Sequence, residues 1–264
     1  MPFEVIQPGA LGIAVAAIFG AIIGSFLNVC ILRWGAEPKE SIIKPASHCP
    51  RCGRGLAWYE NIPVVSWLLL RARCRGCGEP ISMIYPLIEL ATACIWAYMA
   101  WRHGITIEAL RGAVFGTILL GIAMTDARQY IIPDEFSWGG LVIGLLFSLA
   151  GGLHGLGTAL LGAAVGFGLL WLVGTVGTWV FKEDAMGGGD IKMMAMVGAF
   201  VGWQGVLLTI FLGALAGSLV FVPLLLMGNR KLVPFGIFLA IGAAITYEAG
   251  PTIIGWYARY LAGA

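Results

Sequence analysis

Eight runs of mostly apolar residues constrain this chain more than any other feature. They cover residues 8–32, 86–101, 108–125, 136–149, 159–180, 191–201, 206–227 and 235–248. A spanning helix needs roughly 20 mostly apolar residues to cross about 30 Å of hydrocarbon. Most of the runs meet that length; 136–149 and 191–201 are short and fit only if tilted or extended into a neighbouring loop. The composition agrees, with 59% hydrophobic and 11% charged residues and a mean hydropathy of +0.89. A soluble domain carries about a quarter charged residues, so an ordinary water-soluble enzyme, a disordered chain and a disulfide mini-scaffold are all excluded. The 39 glycines suit a helix bundle in lipid, where small residues let backbones approach. The expected fold class is therefore an all-α polytopic membrane protein of about eight transmembrane helices.

The first run is too long for a removable signal peptide and lacks a basic start and a small-residue cleavage site. With the N-terminus outside, thirteen of the sixteen basic residues fall in inner loops; Arg102, Arg111 and Arg259 are the three outside. The positive-inside rule favours that topology, with both termini periplasmic in a bacterium. Trp256, Tyr257 and Tyr260 suit the headgroup level at the end of the chain. A net charge of +2 gives no argument for a nucleic-acid partner; the lipid bilayer is the partner that composition implies.

Residues 33–82 differ in kind, holding half of the basic residues and four of the six cysteines. They read as a small cytosolic domain inserted between the first two spans. Cys49-Pro50-Arg51-Cys52 and Cys74-Arg75-Gly76-Cys77 are two CxxC knuckles about twenty residues apart. Each pair supplies two thiolates from one tight turn, and together they complete a tetrahedral Zn2+ shell. Gly53 and Gly78 follow the pairs, where the turn needs backbone freedom. Four cysteines leave no open coordination position, so the zinc is expected to be structural, supplying the folding energy that a loop this small lacks. His48 is a weaker alternative ligand beside Cys49. Cys30 and Cys94 lie within spans and are expected to be buried apolar residues.

The chain has four aspartates, Asp126, Asp134, Asp184 and Asp190, all in the inner loops after the third and fifth runs. Parity of spans alone sets Asp126 and Asp190 at one cytosolic depth. Ionisable groups at the edge of hydrocarbon are costly and mark function often enough to be the default hypothesis. Two carboxylates brought together cannot both ionise cheaply, so they share a proton and titrate apart. One then activates water while the other protonates a carbonyl or leaving group, the logic of an aspartic protease. Gly187, Gly188 and Gly189 would let a peptide backbone come close and let the chain bend into such a site. The simpler alternative is helix capping or loop charge balance. It suits Asp134 as an N-cap before the run at Phe136, and Asp184 beside Lys182. For Asp126 and Asp190, spacing leaves capping and catalysis both open.

These residues resemble a known family. Gly187-Gly188-Gly189-Asp190 is similar to the GxGD signature of intramembrane aspartic proteases, and Asp126 with Ile132-Pro133-Asp134 resembles the first catalytic segment of type IV prepilin peptidase/N-methyltransferases. Gly24-Ser25-Phe26-Leu27-Asn28-Val29 with Arg33 is similar to that family's opening motif. The knuckles, Asn61-Ile62-Pro63, Ser66 and Leu70-Arg71-Ala72-Arg73-Cys74 resemble its zinc-containing N-terminal domain, and Tyr85-Pro86-Leu87-Ile88-Glu89-Leu90 the start of its second span. The resemblance runs in order from about Gly24 to Gly202. Ala185, where members often have glycine, is a small departure.

The resemblance implies a bifunctional enzyme of the bacterial inner membrane with its active site facing the cytosol. Such an enzyme cuts the basic leader from type IV prepilins or type II secretion pseudopilins after a glycine. It then methylates the new N-terminal amine from S-adenosyl-L-methionine. Carried over, the dyad is Asp126 and Asp190, supported by Gly187 and Gly189, with Asp134 outside it. Protease-only archaeal relatives lack the cysteine loop, which ties that loop to methyl transfer. The implied division is 1–32 as the first transmembrane helix, 33–82 as the zinc-binding domain and 83–264 as the protease bundle. No glycine-rich nucleotide fingerprint follows a strand. Glu60, Asn61, Tyr85 and Glu89, polar groups between the zinc loop and the bilayer, are the methyl-donor candidates. Glu37, Glu40, Glu60 and Glu79 are candidates for attracting a basic leader. Two rival classes are a carboxylate-based ion transporter and a non-catalytic zinc-bearing scaffold of a pilus or secretion machine. Against the first, both aspartates sit at one face rather than at the midplane. The second gives no reason for two aspartates at matching depth.

Overall fold

The computed structural model describes residues 9–36, 41–228 and 234–263. Glu37, Glu40, Arg230 and Lys231 lie outside them. Helices α1 (Ala10–Trp34), α2 (Val65–Leu69), α3 (Ile84–His103), α4 (Ile107–Gln129), α5 (Asp134–Ser148), α6 (Gly152–Phe181), α7 (Gly188–Leu226) and α8 (Phe235–Leu261) account for the regular structure. No strand forms among the described residues, which carry only two isolated bridges. Among the described residues, six unbroken helical stretches, against the eight apolar runs of the sequence, are long and apolar enough to cross a membrane. The difference comes from joined runs: Asp134–Phe181 is one helical stretch of 48 residues, and α7 is one of 39.

The chain forms two compact units, Met1–Thr117 and Ile118–Ala264, divided within α4. In the first, α1 and α3 pack antiparallel at small residues. A Cβ on Gly20 would meet Trp96 at 2.7 Å, and one on Gly24 would meet the Glu89 Cα at 2.8 Å. Close backbone approach of this kind is the main source of helix association in lipid. Buried Asn28 donates its amide to the Tyr85 carbonyl at 3.1 Å, fastening the end of α1 to the start of α3. Arg33 donates to the carbonyls of Ser41 and Pro45 and holds the start of the cysteine loop. Cys30 is buried as expected, but Cys94 is exposed on α3. Hydropathy places a cysteine in a span without saying which face of the helix it occupies.

In the second unit, glycine contacts fix helix directions. A Cβ at Gly140 would meet Met196, and one at Gly144 would meet Phe200, so α5 runs parallel to the first part of α7. Gly162 lies on the Gly198 carbonyl and Gly166 on that of Met194, so α6 runs antiparallel to it. The 48-residue stretch therefore reverses at the turn Leu149–Gly151, where Gly152 has φ +65°. α7 reverses too. Gly189, near its start, lies against Ile132; Gly217, 28 residues on, lies against Phe235 and Phe238 of α8, whose Gly236 touches the same Ile132. An unbroken helix would separate those two glycines by about 42 Å. The reversal sits at Gly202, with φ 73° and ψ 175°, a conformation natural only to glycine. The second part of α7 then pairs antiparallel with α8 through Thr209–Gly242 and Gly213–Leu239. The aromatic tail continues α8 rather than leaving it, with Trp256, Tyr257 and Tyr260 exposed.

Candidate active site and metal centre

The two knuckles fold by one hydrogen-bond pattern. Cys49 N–H donates to the Arg54 carbonyl at 2.9 Å and Gly53 N–H to the Cys49 carbonyl at 2.9 Å; the Cys74–Glu79 and Gly78–Cys74 pairs repeat this at 2.8 and 2.9 Å. Gly53 and Gly78 take φ of 70° and 74°, the left-handed region predicted for them. The sulfurs of Cys49, Cys52, Cys74 and Cys77 all lie within 4.8 Å of one another. Cys49 Sγ and Cys77 Sγ are 3.9 Å apart. Metal–sulfur bonds of about 2.3 Å in a tetrahedral shell set sulfurs about 3.8 Å apart, so the four residues fit a zinc-sized ion. The Cys77 and Gly76 N–H groups draw the Cys74 thiol down to about 6, which prepares a thiolate ligand. His48 is not part of the group; its Nδ1 lies 3.0 Å from the Ala46 carbonyl.

The residues expected to hold a methyl donor have local work. Glu60 is buried and accepts the Ala57 N–H at 2.9 Å and a bidentate Arg54 at 3.0–3.2 Å. The Ala57 N–H first, and then Arg54, hold its carboxyl below the usual range. Glu89 is buried on α3 and accepts the Val64 N–H at 2.7 Å, pinning the cysteine loop to that helix. Val64 has φ 61°, unusual for a β-branched residue, so this contact anchors a strained link. Asn61 is exposed, and the Tyr85 carbonyl takes the Asn28 amide. Glu60 and Glu89 thus each hold part of the loop in place.

The second unit assembles the aspartates. Asp126, 6% exposed near the end of α4, accepts the Ile237 N–H at 3.1 Å on its Oδ2, and the Gly236 N–H also donates to it. Pro234, the N-cap of α8, offers no side-chain acceptor. Asp126 therefore satisfies first-turn donors that α8 cannot satisfy itself. Asp190 lies in the first turn of α7, within electrostatic reach of Asp126. Its Oδ1 is buried and has no hydrogen-bond partner.

At Gly187 and Gly189 glycine serves space rather than φ, since neither has a positive φ, while a Cβ on Gly188 would meet nothing within 4 Å. A Cβ on Gly189 would meet Ile132 Cβ at 2.9 Å, and one on Gly187 would come 3.1 Å from Asp190 Oδ2. A Cβ on Gly236 would meet both Asp126 Oδ2 and Ile132 Cδ1 at 2.8 Å. Ile132 thus wedges the starts of α7 and α8 against the end of α4. The sequence singles out neither Gly236 nor Ile237. Their partner lies over a hundred residues away, and an apolar run of this kind carries no chemical signal. Asp134 is not an N-cap: Pro133 holds that position, and the Asp134 carboxylate pairs with Lys192 at 2.7 Å. Asp184 is exposed in its loop, as expected.

Fold and sites together define a polytopic helical membrane protein with a four-cysteine loop between its first two membrane helices and two aspartates gathered at helix ends. Residues 18–103 match the bacterial peptidase A24 N-terminal domain and residues 113–222 the type IV leader peptidase family. The chain belongs to that family. It is 41% identical over 213 residues to a prepilin leader peptidase/N-methyltransferase of Myxococcus xanthus, covering 81% of this chain and 63% of that protein. Proteins of the same name from Aeromonas hydrophila and Pseudomonas aeruginosa are each 36% identical, with 91% and 92% of both chains covered. No solved structure matches it significantly.

Proposed function

We propose that the protein removes the leader peptide from type IV prepilins or secretion pseudopilins and N-methylates the new terminus. Cleavage takes place at the cytosolic face of the bacterial inner membrane, with both chain termini periplasmic. The observation that carries the protease reading is the pairing of Asp126 with Asp190. Two carboxylates from different helices lie within each other's field, one tied to backbone donors and the other with a buried, unpartnered oxygen. Capping accounts for Asp126 alone; it leaves the orphaned Asp190 oxygen without a purpose. In the reaction an ionised carboxylate takes a proton from water, which attacks the scissile carbonyl while the protonated carboxyl donates to the carbonyl oxygen. As the tetrahedral intermediate collapses, the first carboxyl passes the proton taken from water to the leaving amine nitrogen and the second recovers its own from the oxygen; no covalent enzyme intermediate forms, so serine- and cysteine-directed inhibitors have no effect.

Zn2+ is the ion that the four thiolates fit, and it would hold the two knuckles together rather than act on substrate. The names of the relatives support methyl transfer from S-adenosyl-L-methionine. The test is intact mass of a synthetic prepilin after incubation with detergent-purified enzyme and S-adenosyl-L-methionine. Wild type is expected to remove the leader and add one methyl group, whereas Asp126→Asn and Asp190→Asn leave the substrate whole. Cleavage by either variant would sink the dyad.

A further inference from the structure

Two carboxylates of a dyad need different protonation states, and their surroundings here are unequal. Asp126 is met by N–H groups of Gly236 and Ile237 at the positive end of α8. N–H donors and a helix N-terminus both favour a negative charge. Asp190 also occupies a helix first turn, but its Oδ1 is buried without a donor. A direct hydrogen bond to a charged group outweighs the dipole of a first turn. Resting on the protease reading above, we infer that Asp126 is the ionised, water-activating member, Asp190 carries the shared proton, and Gly236 is the positioning residue that enforces this order.

Gly236 acts through space it leaves empty. Its backbone reaches Asp126 only because no Cβ stands between them; a Cβ there would lie 2.8 Å from Asp126 Oδ2. The three atoms nearest a Cβ on Gly189 all belong to Ile132, its Cβ first at 2.9 Å, whereas a Cβ on Gly236 would meet Ile132 Cδ1 and Asp126 Oδ2 together at 2.8 Å. Gly242, also on α8, is crowded as tightly, with the Thr209 carbonyl at 2.7 Å, but its nearest neighbours are Thr209 and Gly213 of the second part of α7 and not a dyad atom.

The experiment measures kcat and KM for prepilin cleavage by the full-length enzyme carrying Gly236→Ala, Gly189→Ala or Gly242→Ala, each with and without Ile132→Ala. Loss of hydrogen bonds to a charged group predicts a fall in kcat of about 10- to 100-fold for Gly236→Ala with little change in KM. Ile132→Ala removes the Cδ1 that would crowd residue 236 but neither the Asp126 contact there nor the Ile132 Cβ that would crowd residue 189, so it is expected to leave both Gly236→Ala and Gly189→Ala impaired. Restoration of Gly236→Ala by Ile132→Ala, or equal kcat losses in Gly236→Ala and Gly242→Ala, would reduce Gly236 to a packing residue and overturn the inference. Infrared difference spectra test the proton order independently of folding yield. Wild type minus Asp190→Asn should contain a carboxylic-acid C=O band, and wild type minus Asp126→Asn a carboxylate band; the reverse assignment would also overturn it. A wild-type enzyme that cuts no prepilin would instead remove the protease reading itself.

Discussion

Asp126 Oδ2 accepts the backbone N–H of Ile237 at 3.1 Å, so a carboxylate at the end of α4 closes the first turn of a helix 111 residues further on. Asp190 makes no such bond through its Oδ1. The two aspartates therefore differ in what they contribute to the fold.

That difference predicts opposite stability effects. Asp126→Ala leaves two buried N–H groups unpaired and should destabilise the protein by about 1–3 kcal/mol. Asp190→Ala removes an unpartnered oxygen and should leave stability unchanged or raise it. Thermal unfolding in detergent, followed by circular dichroism, separates the two. Equal losses of stability would mean that Asp190 has a structural partner after all.

The contact between α6 and α7 sets a second expectation, because α7 carries Asp190. Gly162 and Gly198 lie on each other's carbonyls. A methyl group at either should force the helices apart, at about 1–3 kcal/mol for overpacking. Gly198→Ala should lower both the unfolding temperature and cleavage. Gly168→Ala, on α6 with nothing within 4 Å of its Cβ, should do neither.

How much of this was legible depends on whether the information is local. The knuckles were, because Cys49–Cys52 and Cys74–Cys77 with Gly53 and Gly78 declare their turn in a few residues. The membrane runs were, because hydropathy is a property of a window. The joins between helices were not: hydropathy does not report that Gly202 reverses α7 without ending it, or that 149–151 remains helical while the chain turns back. Asp126 and Asp190 stood out because charge is rare beside lipid. Their supports Gly236 and Ile132 did not, being apolar residues whose meaning lies in a distant partner. The partners of Glu60 and Glu89 were not legible either, since a carboxylate engaged by Arg54 or the Val64 N–H reads in sequence like an open one.

Glu60 supports a pH-dependent prediction. The Ala57 N–H and Arg54 hold its folded carboxyl below the ordinary value of about 4.3. A carboxyl lowered on folding contributes stability that is fully present above its unfolded value and is lost as pH falls through the folded one. Wild type should therefore be more stable than Glu60→Gln at neutral pH, and the gap should close on acidification below about pH 4. Denaturation midpoints of the two proteins across that range measure it. A gap that stays constant with pH would mean that Glu60 acts through shape alone.

The metal centre yields the sharpest separation of activities. A loop of this size has too little core to fold alone, so the four thiolates and their ion must supply much of its folding energy. Stripping the ion with a strong chelator, or replacing Cys49 and Cys52 with serine, should open residues 41–82 to proteolysis. The proposed dyad takes its carboxylates from α4 and α7 and its backbone donors from α8. Leader cleavage should therefore survive metal removal, whereas methyl transfer should fail if the loop carries it. Elemental analysis should find one zinc per chain, and restoring zinc should restore both protease resistance and methylation. Cleavage lost in parallel with the metal would show instead that the loop presents the substrate to the aspartates.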